Sequence, residues 1–94
     1  MTTHFIVHDK ADSVGVVVVE DLKPGMDVTG WIMETNETIS LKSLEAVPLG
    51  HKIALQPLAK GDTVVKYGND IGRIVADVAK GNHVHVHNLK TKRW

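Results

Sequence analysis

Three histidines alternate with valine near the end of the chain, in residues 83–88 (HVHVHN). Alternate side chains of a strand lie on the same face, so the sequence predicts that His83, His85 and His87 share one face and that the valines point into the core. Neighbouring Cα atoms in such a row are about 6.5–7 Å apart. Imidazole binds iron or zinc and titrates near neutral pH, so this row favours a catalytic or metal-binding role.

Two adjacent imidazoles of the row could lean onto one ion, and we expect His85 and His87 to be both metal ligands and catalytic residues. The alternative is the polar, solvent-facing side of an edge strand. His51 follows Gly50 at the third position of a turn. It is a further candidate catalytic residue that could donate to a substrate or metal, and the alternative is an ordinary histidine in a surface turn.

Cationic residues accompany the histidines. Lys90, Lys92 and Arg93 lie in the last five residues, and Lys66 lies at the end of a predicted strand. Together with Asn88 they are candidate substrate-binding residues, because a cationic cluster can bind an anionic ligand or an acidic partner surface. The alternative is a solvated tail and a solvated lysine. Trp31 after Gly30 indicates packing or a subunit contact.

Other chemistries are disfavoured by composition and by missing motifs. The chain has no cysteine, which excludes disulfides, thiolate metal sites and cysteine nucleophiles. P-loop, dinucleotide-binding and serine-hydrolase signatures are absent from the sequence. Eleven basic and eleven acidic residues cancel, which argues against a general nucleic-acid binder. The chain shows neither a basic leader nor an apolar run of about 18–20 residues, so we expect a cytoplasmic protein that does not enter a membrane.

Short strands joined by glycine turns are predicted throughout. The candidate strands are residues 5–8, 14–19, 28–33, 38–41, 52–55, 63–67, 72–78 and 83–89, with at most a helical turn near 42–46. The valine-rich strand at 14–19 should be buried on both faces. Four times an aliphatic residue is followed by two residues, a glycine, two residues and another aliphatic residue, with the glycines at 25, 50, 61 and 81. The pattern predicts tight turns in one small, strongly bent all-β domain over residues 1–94.

Three ordered motifs carry a family resemblance: residues 48–55 (PLGHKIAL), 60–73 (KGDTVVKYGNDIGR) and 81–89 (GNHVHVHNL). They resemble the SAF-type β-clip domain of the altronate and galactarate dehydratase family over nearly the whole chain. Residues 30–33 (GWIM) and 91–94 (TKRW) are similar to free-standing small subunits of its sulfo-lyase members. One departure is Asn82, where the family pattern suggests an acidic residue.

The resemblance implies a lyase subunit that acts with a large catalytic subunit and depends on ferrous iron (Fe2+). The implied reaction removes the C2 proton of sulfolactate, a small anionic 2-hydroxy acid, and expels bisulfite from C3 to give enolpyruvate and then pyruvate. A chain of 94 residues has room for one modest core, so a site shared between subunits is expected.

Three alternatives remain open at the level of sequence. The substrate could be a sugar acid such as altronate, with water as the leaving group. The chain could also be a non-catalytic assembly or binding module for the large subunit. A periplasmic SAF-type chaperone is disfavoured because no export signal is visible.

Overall fold

A computed structural model describes residues 3–66, 69–85 and 87–90, and its regular elements over these residues are short strands joined by turns and bends. This confirms the predicted all-β class. No helical turn forms near residues 42–46: Lys42 ends the fourth strand, and residues 44 and 45 form a bend. No helix among the described residues is long and apolar enough to span a membrane. The strands are β1 (Phe5–Val7), β2 (Val14–Val17), β3 (Asp27–Ile32), β4 (Glu37–Lys42), β5 (Lys52–Ala54), β6 (Thr63–Lys66), β7 (Asn69–Ile74), β8 (His83–Val84) and β9 (Leu89–Lys90).

Two sheets are formed from these strands. The larger has the order β4-β3-β1-β2-β5-β8, and the smaller has the order β6-β7-β9. Strand β1 pairs with β3 in parallel, whereas the other pairs are antiparallel. The edges of the larger sheet approach each other, because the backbone N–H of Leu44, just after β4, donates to the carbonyl of Gly81, just before β8, at 3.0 Å. The sheet therefore curls strongly, as the glycine turns predicted.

The four repeated glycine motifs are tight turns, as the sequence predicted. Gly25, Gly50, Gly61 and Gly81 have φ angles of 82°, 85°, 96° and 90°, a region that residues with a Cβ rarely occupy. The turns also associate in pairs, since single antiparallel bridges join residue 22 to 47 and residue 58 to 78. Each bridge joins the first aliphatic residues of two glycine motifs. The four turns are therefore arranged as two pairs.

The structure explains why asparagine is accepted at position 82. The side-chain oxygen of Asn82 accepts a hydrogen bond from the backbone N–H of Ala79 at 2.7 Å. In the equivalent turn, Asp62 accepts from the N–H of Ala59 at 2.8 Å. An amide oxygen and a carboxylate oxygen thus close the same turn, because each is an acceptor at the same point of the side chain.

Two apolar clusters form the core, and strands β2 and β5 contribute to both of them. The first contains Phe5, Val7, Val17, Leu22, Val28, Ile32, Leu41, Val47 and Ile53. The second contains Val14, Ala54, Leu58, Val64, Ile74, Val78 and Val84. Consecutive residues of β5 lie on opposite faces and therefore enter different clusters. This arrangement fixes β5, and with it the residues at its start, between the two halves of the domain.

Several predicted strand boundaries were wrong. The strand expected at 14–19 ends at Val17, and Val18 is 39% exposed, so burial on both faces does not extend that far. The strand expected at 72–78 covers Asn69–Ile74, and the end of the strand expected at 63–67 reaches residue 67, outside the described residues. The strand expected at 83–89 is interrupted after Val84 and resumes at Leu89 in the other sheet.

Candidate functional site

The histidine segment begins in β8 of the larger sheet, and the chain then turns and enters β9 of the smaller sheet, which corrects the prediction of one straight strand. Asn88, which is 8% exposed, holds the turn from inside. Its side-chain oxygen accepts from the N–H of His85 at 3.0 Å, and its amide nitrogen donates to the carbonyl of His83 at 2.8 Å. Asparagine favours turns because its short polar side chain satisfies nearby backbone groups in this way.

The imidazole rings nevertheless converge, and His51 joins them. His51 stacks on His85 with ring centroids 3.7 Å apart and an interplanar angle of 15°. Nδ1 of His51 lies 2.7 Å from Nε2 of His83. The ring of His87 is 4.8 Å from that of His83, tilted by 44°. The described contacts therefore link His85 to His51, His51 to His83, and His83 to His87.

His51 reaches this cluster because of its turn. The N–H of Gly50 donates to Val17 at 2.8 Å, and the N–H of His51 donates to Pro48 at 3.0 Å, so the turn is anchored to β2 immediately before β5 begins. Strand β5 pairs with β8, with Lys52 opposite Val84. That register places His51, the residue before Lys52, beside His83 and His85, which flank Val84.

Glu45 fixes the opposite side of the cluster. Its carboxylate accepts from the backbone N–H of His83 at 2.9 Å, across 38 residues of sequence. Ser43, which is fully buried, donates through its hydroxyl to the carbonyl of Glu45 at 2.6 Å and holds the bend that presents this carboxylate. The segment after β4 is therefore part of the site, although its sequence alone suggested a short helix.

The environment favours the neutral form of His83 and of His85. Burial and then the neighbouring His87 and His51 lower the pKa of His83, partly offset by Glu45. Burial, followed by His51 and Lys52, also lowers the pKa of His85. Nδ1 of His85 is buried and has no hydrogen-bond partner among the described residues. A neutral imidazole can accept a proton from a reacting group, which is what a general base requires.

A partly buried lysine lies beside the imidazoles. Burial and then the charge of Lys66 lower the pKa of Lys52, and the charge of Lys52 in turn acts on His85. Lys52 is half-buried on β5, and no carboxylate among the described residues offsets its charge in the way that Glu37 pairs with Lys10. The region around Lys52 therefore carries an excess of positive charge.

The other predicted site residues are distributed as follows. Lys66 is half-buried at the end of β6. Lys90 is exposed on β9, opposite Arg73 of β7, in the smaller sheet. Lys92 and Arg93 lie outside the described residues, and Asn88 supports the histidine turn. The proposed substrate contacts of all five residues stay predictions. Trp31 is 36% exposed, and its Nε1 donates to Asn36 at 3.0 Å.

The imidazole side chains of the cluster are a kind of donor that binds iron, but the described residues do not bring enough of them together to hold the ion. Imidazole nitrogen is a suitable ligand for ferrous iron. However, the described residues contain no group of three or more histidine, aspartate or glutamate side chains that could hold a metal ion. His85 and His87 could thus supply part of a coordination shell, and a second chain would have to complete it.

Glu45 and Lys52 were given no role from sequence, and His83 was given none beyond its place in the histidine row. His83 was visible in the alternating row, but nothing indicated its hydrogen bond with His51. Glu45 and Lys52 had no local signal, since their proximity to the site follows from the β5–β8 pairing and from the bend after β4. Contacts between residues more than 30 positions apart in the sequence are determined by the fold.

Comparison with known proteins agrees with this architecture. The family model of the altronate/galactarate dehydratase SAF domain matches residues 3–92. The chain is 51% identical over 94 residues to the (2R)-sulfolactate sulfo-lyase subunit alpha of Chromohalobacter salexigens, covering 100% of both chains. It is 49% identical over 63 residues to the subunit of the same name from Paracoccus pantotrophus, covering 67% of this chain and 94% of that one.

A longer relative matches as well. The altronate dehydratase of Escherichia coli is 44% identical over 80 residues, which are 85% of this chain but only 15% of that enzyme. The same domain thus occurs both as a separate chain and as a small part of a larger one. On the match over residues 3–92, this chain belongs to the altronate/galactarate dehydratase SAF domain family.

Proposed function

We propose that this chain is the small subunit of a cytoplasmic, two-subunit (2R)-sulfolactate sulfo-lyase, which eliminates bisulfite from sulfolactate to give pyruvate. The observation that carries the proposal is the end-to-end similarity, at 51% identity, to a protein named as subunit alpha of that enzyme. The small size of the chain supports a shared site, and the convergence of four imidazoles supports a direct contribution to it.

The imidazoles are suited to proton transfer in an elimination. A base must remove the proton at C2 while the sulfonate group leaves C3 as sulfite with the electron pair of the C–S bond, and the sulfite takes up a proton to become bisulfite. His51, His85 and His87 are the proposed catalytic residues. Of these, His51 is the proposed proton acceptor, because it is not one of the proposed iron ligands and a neutral imidazole has a single lone pair. Enolpyruvate is released and becomes pyruvate when its enol is protonated at carbon.

His85 and His87 are the proposed ligands of ferrous iron from this chain, with the remaining ligands supplied by the large subunit. When bound, the ion would act as a Lewis acid on the carboxylate and 2-hydroxyl of the substrate. The chain's own contribution is to hold the turn that carries these histidines, which Asn88 does through hydrogen bonds to the backbone of His83 and His85.

The charge near the cluster suits a dianionic substrate. Sulfolactate carries a carboxylate and a sulfonate, and both need cations around them once water is excluded. Lys52 and Lys66 lie close enough to interact electrostatically, and Lys52 also interacts with His85. Lys90, Lys92 and Arg93 follow the histidine turn in sequence. An exposed ion pair contributes only about 0–1 kcal/mol, so closure by a partner would strengthen these contacts.

Exposed apolar residues next to the cluster support the docking of a large subunit there. Leu44 is 48% exposed and precedes Glu45, and Leu49 is 54% exposed in the turn that carries His51. Exposed apolar side chains beside a polar site are typical of a surface that a partner covers. The site would then be closed by association of the two subunits.

A product assay on the assembled complex tests the proposal. This chain is co-purified with a candidate large subunit of the dehydratase type and supplied with ferrous iron and (2R)-sulfolactate. We expect bisulfite and pyruvate in equal amounts, and no turnover by either subunit alone. A complex that dehydrates altronate or galactarate to a 2-keto-3-deoxy acid, and leaves sulfolactate intact, would favour the sugar-acid dehydratase suggested by the 44% identity to altronate dehydratase.

The same assay separates catalysis from assembly. If the chain only holds the large subunit, replacing His51, His85 and His87 by alanine should leave the rate unchanged while the complex stays intact. We expect instead a loss of at least about 10²-fold for each variant, the usual range for a missing acid or base.

A further inference from the structure

We propose that His83 is a positioning residue: its Nε2 accepts the Nδ1–H of His51 and so leaves the Nε2 lone pair of His51 free to act as a base. The inference rests on the proposed function, since it concerns the proton acceptor of the elimination. His83 is the histidine of the alternating row for which sequence and family resemblance suggest no separate role.

The first step of the argument is the contact itself. Nδ1 of His51 and Nε2 of His83 are 2.7 Å apart, and both side chains are part-buried. At that separation one nitrogen must carry a proton and the other a lone pair. The ring state of each histidine is therefore tied to that of the other.

The second step is that His83 is held in place by its backbone. Its N–H donates to Glu45 at 2.9 Å, and its carbonyl accepts from Asn88 at 2.8 Å. Strand pairing places it opposite Ile53, which is fully buried. Because both backbone groups of His83 are hydrogen-bonded and its partner in the strand pair is buried, His83 is held in one position. It can therefore fix the orientation of the His51 side chain on the adjacent turn.

The third step is the chemistry that His51 must perform. In a neutral imidazole only one ring nitrogen has a lone pair available for a proton. If His51 is a base through Nε2, the proton must lie on Nδ1, which then donates to His83. The opposite arrangement would leave His51 with a protonated Nε2 and make it unsuitable as a base. The known role of a hydrogen bond in fixing a histidine tautomer is the general precedent.

The stacking of His85 on His51 completes the support. The two rings lie 3.7 Å apart and nearly parallel, which restricts rotation of the His51 ring about its side-chain bonds. With one face covered and Nδ1 engaged, Nε2 is the remaining polar atom of His51. Both His83 and His85 therefore act on the orientation of the same ring.

Nuclear magnetic resonance on the full chain, labelled with nitrogen-15, tests the ring coupling directly. The expected spectrum at neutral pH assigns the proton of His51 to Nδ1 and the lone pair to Nε2. His83→Ala should produce a mixture of tautomers, and His83→Gln, which keeps a polar group within reach, should shift the mixture towards the wild-type state. A proton on Nε2 of His51 in the wild-type chain, or a His51 spectrum unaffected by His83→Ala, would overturn the proposal.

Kinetics of the two-subunit complex test the consequence. His83→Ala should lower kcat by about 10²-fold with KM changed less than about threefold, as expected for loss of a group acting in the transition state. The kcat of His83→Gln should be at least about tenfold higher than that of His83→Ala. Equal losses in the two variants, in proportion to a loss of stability, would mean that His83 is merely structural and would contradict the proposal.

His4→Gln is the matched control. Nδ1 of His4 accepts from the backbone N–H of Thr29 at 3.0 Å, a structural contact in β3 that has no part in the site. We expect this variant to lower the melting temperature while keeping the His51 tautomer and kcat of the wild type. The spectra are recorded on the isolated chain and report only on the hydrogen bond between His51 and His83. The kinetics of the complex report on the proposed reaction, so a failure of one claim is distinguished from a failure of the other.

Discussion

At the scale of single residues, the site depends on one buried amide and four imidazoles. Asn88 binds the backbone on both sides of the histidine turn, so its contribution is to geometry more than to surface chemistry. The alternating row of histidines suggested shared orientation through a strand. The rings do converge, but the turn at Asn88 and the neighbouring β5 strand bring them together.

Replacing Asn88 by alanine tests this role. The N–H of His85 and the carbonyl of His83 lose their partner in a partly buried place, which costs about 1–3 kcal/mol. We expect the free energy of unfolding, measured by urea denaturation, to fall by that amount. Gln56→Ala, at an exposed amide side chain, is the control and should change stability little. Equal stability of Asn88→Ala and wild type would show that the amide does not hold the turn.

The histidine cluster also predicts a dependence of stability on pH. The pKa values of His83 and His85 are lowered by burial in the folded state, so the unfolded chain binds more protons as pH falls below its imidazole pKa of about 6.5. Stability should therefore decrease from about pH 7 down to the lowered folded values, and change no further from this source below them.

Urea denaturation at pH 7.5 and 5.5 measures this effect. The double variant His83→Gln/His85→Gln is the comparison, because glutamine does not titrate and the contribution of the carboxylates stays the same in both proteins. We expect the wild type to lose more stability than the variant between these two pH values. The same loss in both proteins, or a smaller loss in the wild type, would contradict the lowered pKa values.

At the scale of elements, the packing of β1 between two glycine-containing strands organises the first core. Phe5 is fully buried, and its ring occupies the space above Gly15 of β2 and Gly30 of β3. A Cβ on Gly15 would lie 2.6 Å from the Phe5 ring, and a Cβ on Gly30 would collide with it. These two strands flank β1, so the ring needs both positions to lack a side chain.

Gly30→Ala should therefore destabilise the chain by about 1–3 kcal/mol, the usual effect of overpacking a core. Combining it with Phe5→Leu removes the ring that the new methyl group meets. We expect the double variant to be less destabilised than the sum of the single variants by at least about 0.5 kcal/mol, measured by urea denaturation. Additive effects would show that the two positions do not share the space.

The elements also show what could be inferred from sequence. The glycine turns were predictable because positive φ is a local requirement, and most strands were found from short β-branched runs. The parallel β1–β3 pair, the β5–β8 pair and the bend that presents Glu45 depend on long-range contacts with no local signature. His51 was a candidate catalytic residue from its type and its position in a turn, whereas its contacts with His83 and His85 required the fold.

At the scale of the whole molecule, a net charge of zero conceals a local excess of positive charge. Lys52 acts on His85 and Lys66 acts on Lys52, while Glu45 is the carboxylate that acts on His83. Among the described residues this region combines the histidine cluster with exposed Leu44 and Leu49. An anionic substrate would neutralise the positive charge of this region, and a second subunit would cover its exposed apolar residues.

Lys52→Met tests the charge. Methionine keeps much of the apolar volume of the side chain but removes its charge, so we expect KM for sulfolactate in the assembled complex to rise about tenfold with kcat little changed, the pattern of lost uniform binding. Lys23→Met, in an exposed turn, is the control and should leave KM unaltered. The same KM in both variants would exclude Lys52 from substrate binding.

The most direct test of the central claim is an experimental structure of this chain in complex with its large subunit and sulfolactate. The account predicts that the rings of His51 and His85 line a cavity closed by the large subunit, with at least one ring nitrogen within about 3.2 Å of the substrate or its metal. Rings that face solvent, or that lie away from both the subunit interface and the bound substrate, would contradict it.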